Sequence, residues 1–161
     1  MKKLKIYLDT SVISYLDQQD APDKMADTLK LWEQIRLGKY EAVISDVALD
    51  EIAQCDEPKR SVLERYLAGV PFTAVAVNME AQDLAKQFID NHVLTNKSVD
   101  DCRHIACAML YGCDMIVSWN FKHIVNYRTI QGVKLISIMT GYDEVAIYTP
   151  TILIGGDDPN A

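Results

Sequence analysis

Short apolar runs alternate with longer stretches whose apolar residues recur every three or four positions along most of the chain. The run at residues 4–8 (LKIYL) predicts a buried strand, and residues 12–16 a short helix behind Asp9, Thr10 and Ser11. A polar loop at 17–22 leads to Pro22, which suits the first turn of a helix running to about residue 37 and stopping at Gly38. Residues 42–44 read as a second strand, with Ser45 capping a helix over 46–54. A further helix starts near Pro58, with Asp56 as its cap, and ends at Gly69. Residues 71–77, rich in Val and Thr, predict a strand, and Asn78 caps a helix to about residue 92. Ser98 caps a helix over 99–111, and Gly112 stands where a left-handed residue closes it. Residues 115–118 and 133–138 predict two more strands, 147–154 a small peripheral strand, and 155–161 a frayed tail.

Strands separated by helices imply right-handed crossovers, hence an α/β fold with a parallel sheet covered by helices on both faces. A length of 161 residues suits one domain, spanning 1–154 with the tail beyond it. Composition, 49% hydrophobic and 24% charged, excludes a disordered, collagenous or coiled-coil protein. There is no apolar run of about 18 residues to cross a membrane. Lys2 and Lys3 have no long apolar stretch behind them, and Asp9 comes too soon for a signal peptide, so a cytoplasmic protein is expected. Cysteines at 55, 102, 107 and 113 form no C-x-x-C pair, and His92, His104 and His123 complete no zinc spacing; reduced, mostly buried thiols are expected.

A net charge of −7 argues against a protein that coats DNA nonspecifically. It leaves open a site where carboxylates hold a divalent cation and the cation faces phosphate. In a parallel α/β sheet, ligands gather outside the carboxyl ends of the strands. Asp9 ends the first strand, Glu51 lies on the helix after the second, Asp101 in the first turn of the helix at Ser98, and Asn120 just after the strand at 115–118. All four could point into one crevice. Carboxylates held together repel and are costly to bury unpaired, and Mg²⁺ or Mn²⁺ relieves that penalty. Each residue also has a plainer role. Asp9 could cap the helix behind it, Asp101 could complete a capping box with Ser98, and Glu51 could be a solvated helix residue. Asp114 reads as a turn residue on the wrong edge of the sheet, and Asp46 and Asp50 as solvent-facing. His104 reads as a hydrogen-bonded core residue, Trp119 as packing under the site, and Leu29, Leu31, Trp32 and Ile35 as core or dimer contacts.

Tyr7 to Val12 (YLDTSV) resembles the opening motif of the PIN-domain ribonucleases, the group that contains the VapC-type toxins. Asp101 to Ala108 (DCRHIACA) resembles that family's acid-then-HIA helix, and Ile116 to Ile124 (IVSWNFKHI) its last motif. Glu51 sits where the family has a helical glutamate. The motifs occur in order over roughly residues 4–140. The resemblance implies a parallel sheet with helices on both sides and often a homodimer. It implies Mg²⁺ or Mn²⁺ held by Asp9 and Asp101, with Glu51 assisting directly or through water, and metal-activated endonucleolytic cleavage of single-stranded RNA. Thr10, and after it Ser11, would support the site by hydrogen bonding. A small antitoxin covering the cleft is a common partner.

The last motif departs from the family in carrying Asn120 where many members have aspartate; an amide can coordinate through its carbonyl but would hold a second metal less firmly. Lys97, Arg103, Lys122, His123 and Arg128 lie near the proposed crevice, and Lys122 and His123, adjoining Asn120, have the best claim to RNA phosphate. Two other readings use the same residues: a catalytically weak module that binds RNA or protein, and a phosphatase acting on small esters.

Overall fold

The last three residues of the first strand are buried on alternate faces, and this divides the interior in two. A computed structural model describes residues 2–155 of the chain. In β1 (Leu4–Leu8), Tyr7 points to one face of the sheet while Ile6 and Leu8 point to the other. The same two-residue period runs through β2 (Tyr40–Ser45) and β4 (Met115–Val117). Val43 and Ile116 join Tyr7, while Ala42, Ile44, Met115 and Val117 join Ile6 and Leu8. With β3 (Thr73–Val75) and β5 (Ala146–Tyr148), these strands form one parallel sheet in the order β3-β2-β1-β4-β5.

Four helices close the Ile6 face. They are α1 (Thr10–Ser14), α2 (Pro22–Arg36), α3 (Asp46–Ala53) and α4 (Lys59–Ala68), through Val12, Trp32, Ile52 and Leu63 among others. The Tyr7 face is closed by α5 (Met79–Asp90), α6 (Val99–Leu110) and α7 (Tyr127–Thr140), through Phe88, Ile105 and Ile136. Ser45 caps α3 through the Ala48 amide, and Asn78 caps α5 through the Ala81 amide. Gly38 and Gly112 take the left-handed conformation beyond α2 and α6, with φ of 84° and 68°.

Five expectations change. Residues 133–138 are not a strand but the second half of α7. The helix is capped by Asn126, whose side chain accepts the Thr129 amide at 2.9 Å, and ended by Gly141 at φ 81°. Val133 and Ile136 face the core while Leu135 and Ile138 face outward, the helical and not the strand period. The expected strand at 147–154 is β5 and then a helix, α8 (Pro150–Gly155). Asp56 does not cap α4; Glu57 instead accepts the Ser61 hydroxyl and amide. Ser98 does not cap α6, because a 3₁₀ turn at Asn96–Ser98 winds directly into it; no capping box forms, and the hydroxyl lies 3.4 Å from His123 Nδ1. Gly155 belongs to α8, and the rest of the expected tail, 156–161, lies outside the described residues.

All four cysteines are free, and burial pushes the thiols of Cys102, Cys107 and Cys113 up to about 12. Among the described residues no helix is long and apolar enough to cross a membrane.

The sheet order places β1 between β2 and β4, so successive crossovers leave β1 in opposite directions. The crevice at the carboxyl ends of β1 and β4 is the topological switch point, where such folds bind ligands.

Candidate active site

Asp9 leaves β1 at that switch point with an extended backbone, φ −77° and ψ 172°, and caps α1. Its Oδ1 accepts the Val12 amide at 3.2 Å and the Ser11 hydroxyl at 2.6 Å, and its Oδ2 accepts the Ser118 hydroxyl at 2.5 Å. The same two hydroxyls accept amides from the loop after β4: Trp119 N–H donates to Ser11 Oγ and Asn120 N–H to Ser118 Oγ, both at 2.9 Å. The turns after β1 and β4 are thereby tied together through one carboxylate. Burial pushes the Asp9 carboxyl up, against the His104 charge and the hydroxyl and amide donors.

Asp101 enters from the first turn of α6. Its Oδ1 accepts Asn120 Nδ2 at 3.1 Å, while Asn120 Oδ1 accepts the His123 amide at 3.0 Å. Those neighbours fix the amide's orientation, since the backbone N–H can only donate and the carboxylate accepts. The Asn120 carbonyl therefore faces its own turn, and the side chain meets Asp101 as a neutral donor. Burial raises the Asp101 pKa; the His123 and His104 charges oppose this, and those of Asp9 and Glu51 add to it.

Glu51 reaches in from α3. Its side chain is about 37% exposed, yet Oε1 is buried and has no hydrogen-bond partner. The nearest ionisable nitrogen, His104 Nε2, is 3.5 Å away, an ion-pair separation at the outer limit of hydrogen bonding. His104 itself is buried, with Nδ1 2.6 Å from the Tyr7 hydroxyl and Nε2 3.3 Å from Thr10 Oγ1. Tyr7 gives its one proton to Ser45 Oγ at 2.7 Å, so His104 Nδ1 must be the donor to Tyr7. Burial works against a charge on this ring, but Glu51, Asp9 and Asp101 outweigh it and raise the pKa.

A model of the PIN domain matches residues 6–122. The chain belongs to the PIN domain family. The match takes in Asp9, Glu51, Asp101 and Asn120. The fold of this PIN domain is similar to VapBC2 from Rickettsia felis, solved bound to a DNA fragment from its promoter. Identity there is 14% and the TM-score 0.58, with 91% of this chain and 98% of the other covered. It is also similar to VapC20 of Mycobacterium tuberculosis, a sarcin-ricin-loop-cleaving toxin, at 14% identity and TM-score 0.57, covering 87% and 98%. No curated protein sequence matches the chain.

Within the PIN domain, the residues singled out from sequence fall into two sets. Asp9, Asp101 and Asn120 are linked through Ser118 and the loop after β4, and Glu51 joins them electrostatically through His104. Ser11, rather than Thr10, holds Asp9, and Thr10 meets His104. Lys122, His123 and Arg128 line an adjoining cavity, whereas Arg103 is paired with Asp100 at 2.8 Å. Ser118 and His104 are the site residues that sequence reasoning missed in this role. Their signals were a hydroxyl at a strand's carboxyl end and a histidine three residues after Asp101, on the same helix face.

Among the described residues no three His, Cys, Asp or Glu side chains form a ready-made metal cage. The chemistry of the donors nevertheless suits a hard cation. The buried Asp9 carboxyl and the half-buried Asp101 carboxyl are raised by desolvation, and Glu51 offers a buried oxygen with no hydrogen-bond partner.

Proposed function

We propose that this PIN domain is a divalent-metal-dependent endoribonuclease that cuts single-stranded RNA, and that it is the toxin of a toxin–antitoxin pair. The observation that carries the reading is the electrostatic cluster of Asp9, Asp101 and Glu51, in which a buried Glu51 oxygen has no hydrogen bond within normal geometry and meets the His104 ring at 3.5 Å. Three carboxylates facing one imidazolium leave an excess of negative charge, which is costly in a partly buried site unless a cation completes it. VapC20, a toxin that cleaves RNA, has the same fold and makes RNA the substrate to test first. The fold likeness to VapBC2 makes a small antitoxin over the cleft the partner to test; a homodimer in the cytoplasm is the assembly this reading expects.

Asp9, Asp101 and Glu51 would hold Mg²⁺ or Mn²⁺, which when bound lowers the pKa of an attacking water and offsets charge on the phosphate. Ser11 and Ser118 fix both oxygens of Asp9, so its orientation is set before any ligand arrives. Asn120 holds Asp101 without adding a negative charge. His104 places a positive charge beneath Glu51 and limits the repulsion among the three acids. Lys122 and His123 stand beside Asn120, where they would receive the flanking phosphates.

Purified protein with Mn²⁺ should cut single-stranded RNA, and Asp9→Asn should abolish the cutting; equal cleavage by the variant would refute the assignment. A second reading, a catalytically weak module that binds RNA or protein, is favoured by Asn120, whose amide already occupies Asp101. Calorimetry separates the two, since the module would take up no Mn²⁺ at millimolar concentration.

A further inference from the structure

We propose that the ring of Phe121 is a stacking platform for a nucleobase of the RNA strand at the cleavage site. The proposal rests on the endoribonuclease reading above and adds the place where one base is held. Phe121 directly follows Asn120, whose amide touches Asp101, so a base on this ring would lie beside the proposed site. The ring is 49% exposed although it is a large apolar group. Its backbone is fixed: the Phe121 amide donates to the Trp119 carbonyl at 3.0 Å, and its carbonyl accepts Asn126 Nδ2 at 3.1 Å. A rigid turn therefore holds an aromatic face out toward solvent.

Behind it stands a braced stack. The Trp119 centroid lies 6.4 Å from that of Phe121 and 5.8 Å from that of Tyr15, and Trp119 Nε1 is anchored on Thr28 Oγ1 at 2.9 Å. Lys24 Nζ sits over all three rings, at 5.1 Å from Phe121, 5.6 Å from Trp119 and 5.9 Å from Tyr15. Phe121 also lines a cavity of about 570 Å³ with Lys122, His123, Tyr127 and Arg128. No acidic side chain lines that cavity, on a chain of net charge −7. The Lys122 carbonyl accepts Asn126 Nδ2 at 3.0 Å, which leaves its ammonium without a hydrogen bond or ion pair among the described residues, while the Arg128 guanidinium is aimed by a 2.7 Å bond to the His92 carbonyl. Tyr127 is 78% exposed.

Cations alternating with exposed rings match a single strand, whose phosphates and unstacked bases alternate in the same way. A duplex keeps its bases stacked on one another and offers no free face. An apolar protein segment would use the ring but leave the cationic side chains unanswered, so RNA fits the surface better.

The test uses Asp9→Asn protein with Mn²⁺ and a short single-stranded oligoribonucleotide carrying 2-aminopurine at successive positions. Stacking on Phe121 should quench the probe at one position. Phe121→Ala in this background should remove the quenching and weaken binding about tenfold. Phe121→Trp should retain both, and Phe121→Leu, which preserves packing on Trp119, should lose the quenching. Unaltered affinity and quenching with Phe121→Ala would overturn the proposal and leave the ring as a protein-docking contact. Cleavage of the same oligonucleotide by protein with Asp9 intact, measured alongside, keeps the outcomes distinct. Cleavage with unaltered Phe121→Ala binding defeats stacking alone; neither binding nor cleavage defeats the nuclease reading as well.

Discussion

Ser118 donates its hydroxyl to Asp9 at 2.5 Å while accepting the amide of Asn120, so one side chain orients both the buried carboxylate and the turn beside it. Ser118→Ala should therefore raise the Asp9 pKa further and weaken Mn²⁺ binding. It should also cost about 1–3 kcal/mol, the range for leaving a buried acceptor short of its donor. Titration of Asp9 by carboxyl-detected NMR and urea unfolding would check the two effects.

Asp9 holds its proton more tightly folded than unfolded, because burial raises its pKa above the ordinary aspartate value of 3.8. The stability this contributes is complete below the unfolded pKa and is lost as pH rises through the folded one. Once ionised, the carboxylate is thus a strained guest. The melting temperature of Asp9→Asn should gain on that of the natural protein as pH rises above about 4, and the gap between them should be smallest and constant below that value. Melting curves across that range, without metal, would show it. Added Mn²⁺ should raise the melting temperature of the natural protein and leave that of Asp9→Asn nearly unmoved.

His104 works in the opposite sense, as a cation welcomed by Glu51, Asp9 and Asp101. Its raised pKa contributes stability that is complete below the ordinary value of 6.5 and fades as pH climbs through the folded value. The advantage of the natural protein over His104→Gln should be largest near pH 6 and smaller near pH 9, as about 1–3 kcal/mol at most in denaturant unfolding. An advantage that grew with pH would show that the ring is neutral.

Gly132 brings α7 against Val93 in the loop after α5. A Cβ there would fall 2.2 Å from Val93 Cγ1, inside any permitted contact. Gly132→Ala should destabilise by about 1–3 kcal/mol despite alanine's better helix propensity. Val93→Ala should recover part of that loss in the double variant, and thermal unfolding of the four proteins measures the coupling.

The strands β1, β2 and β4 were legible because buried apolar runs bounded by capping residues have few other solutions, and Ser45 and Asn78 declare the helices behind them. The second half of α7 was misread because Val133-Lys134-Leu135-Ile136-Ser137-Ile138 is rich in β-branched residues and partly alternates. Its helical state is decided by a cap at Asn126 and a stop at Gly141 that lie outside the run. At the site, the positions of the acids followed from strand ends. The role of His104 did not, because its partners Tyr7, Thr10 and Glu51 come from three separate elements and meet only on folding. The facing of Asn120 depended likewise on a backbone amide three residues on.

The thiols carry a last consequence. Cys102, Cys107 and Cys113 are both enclosed and held protonated, so the reactive anion that peroxide or disulfide exchange requires is almost never formed. Cys55 is only half enclosed, with its sulfur 3.7 Å from the Glu51 carbonyl oxygen. Three of the four thiols are silenced by packing, and these buried cysteines would be expected to ride through an oxidative burst unchanged.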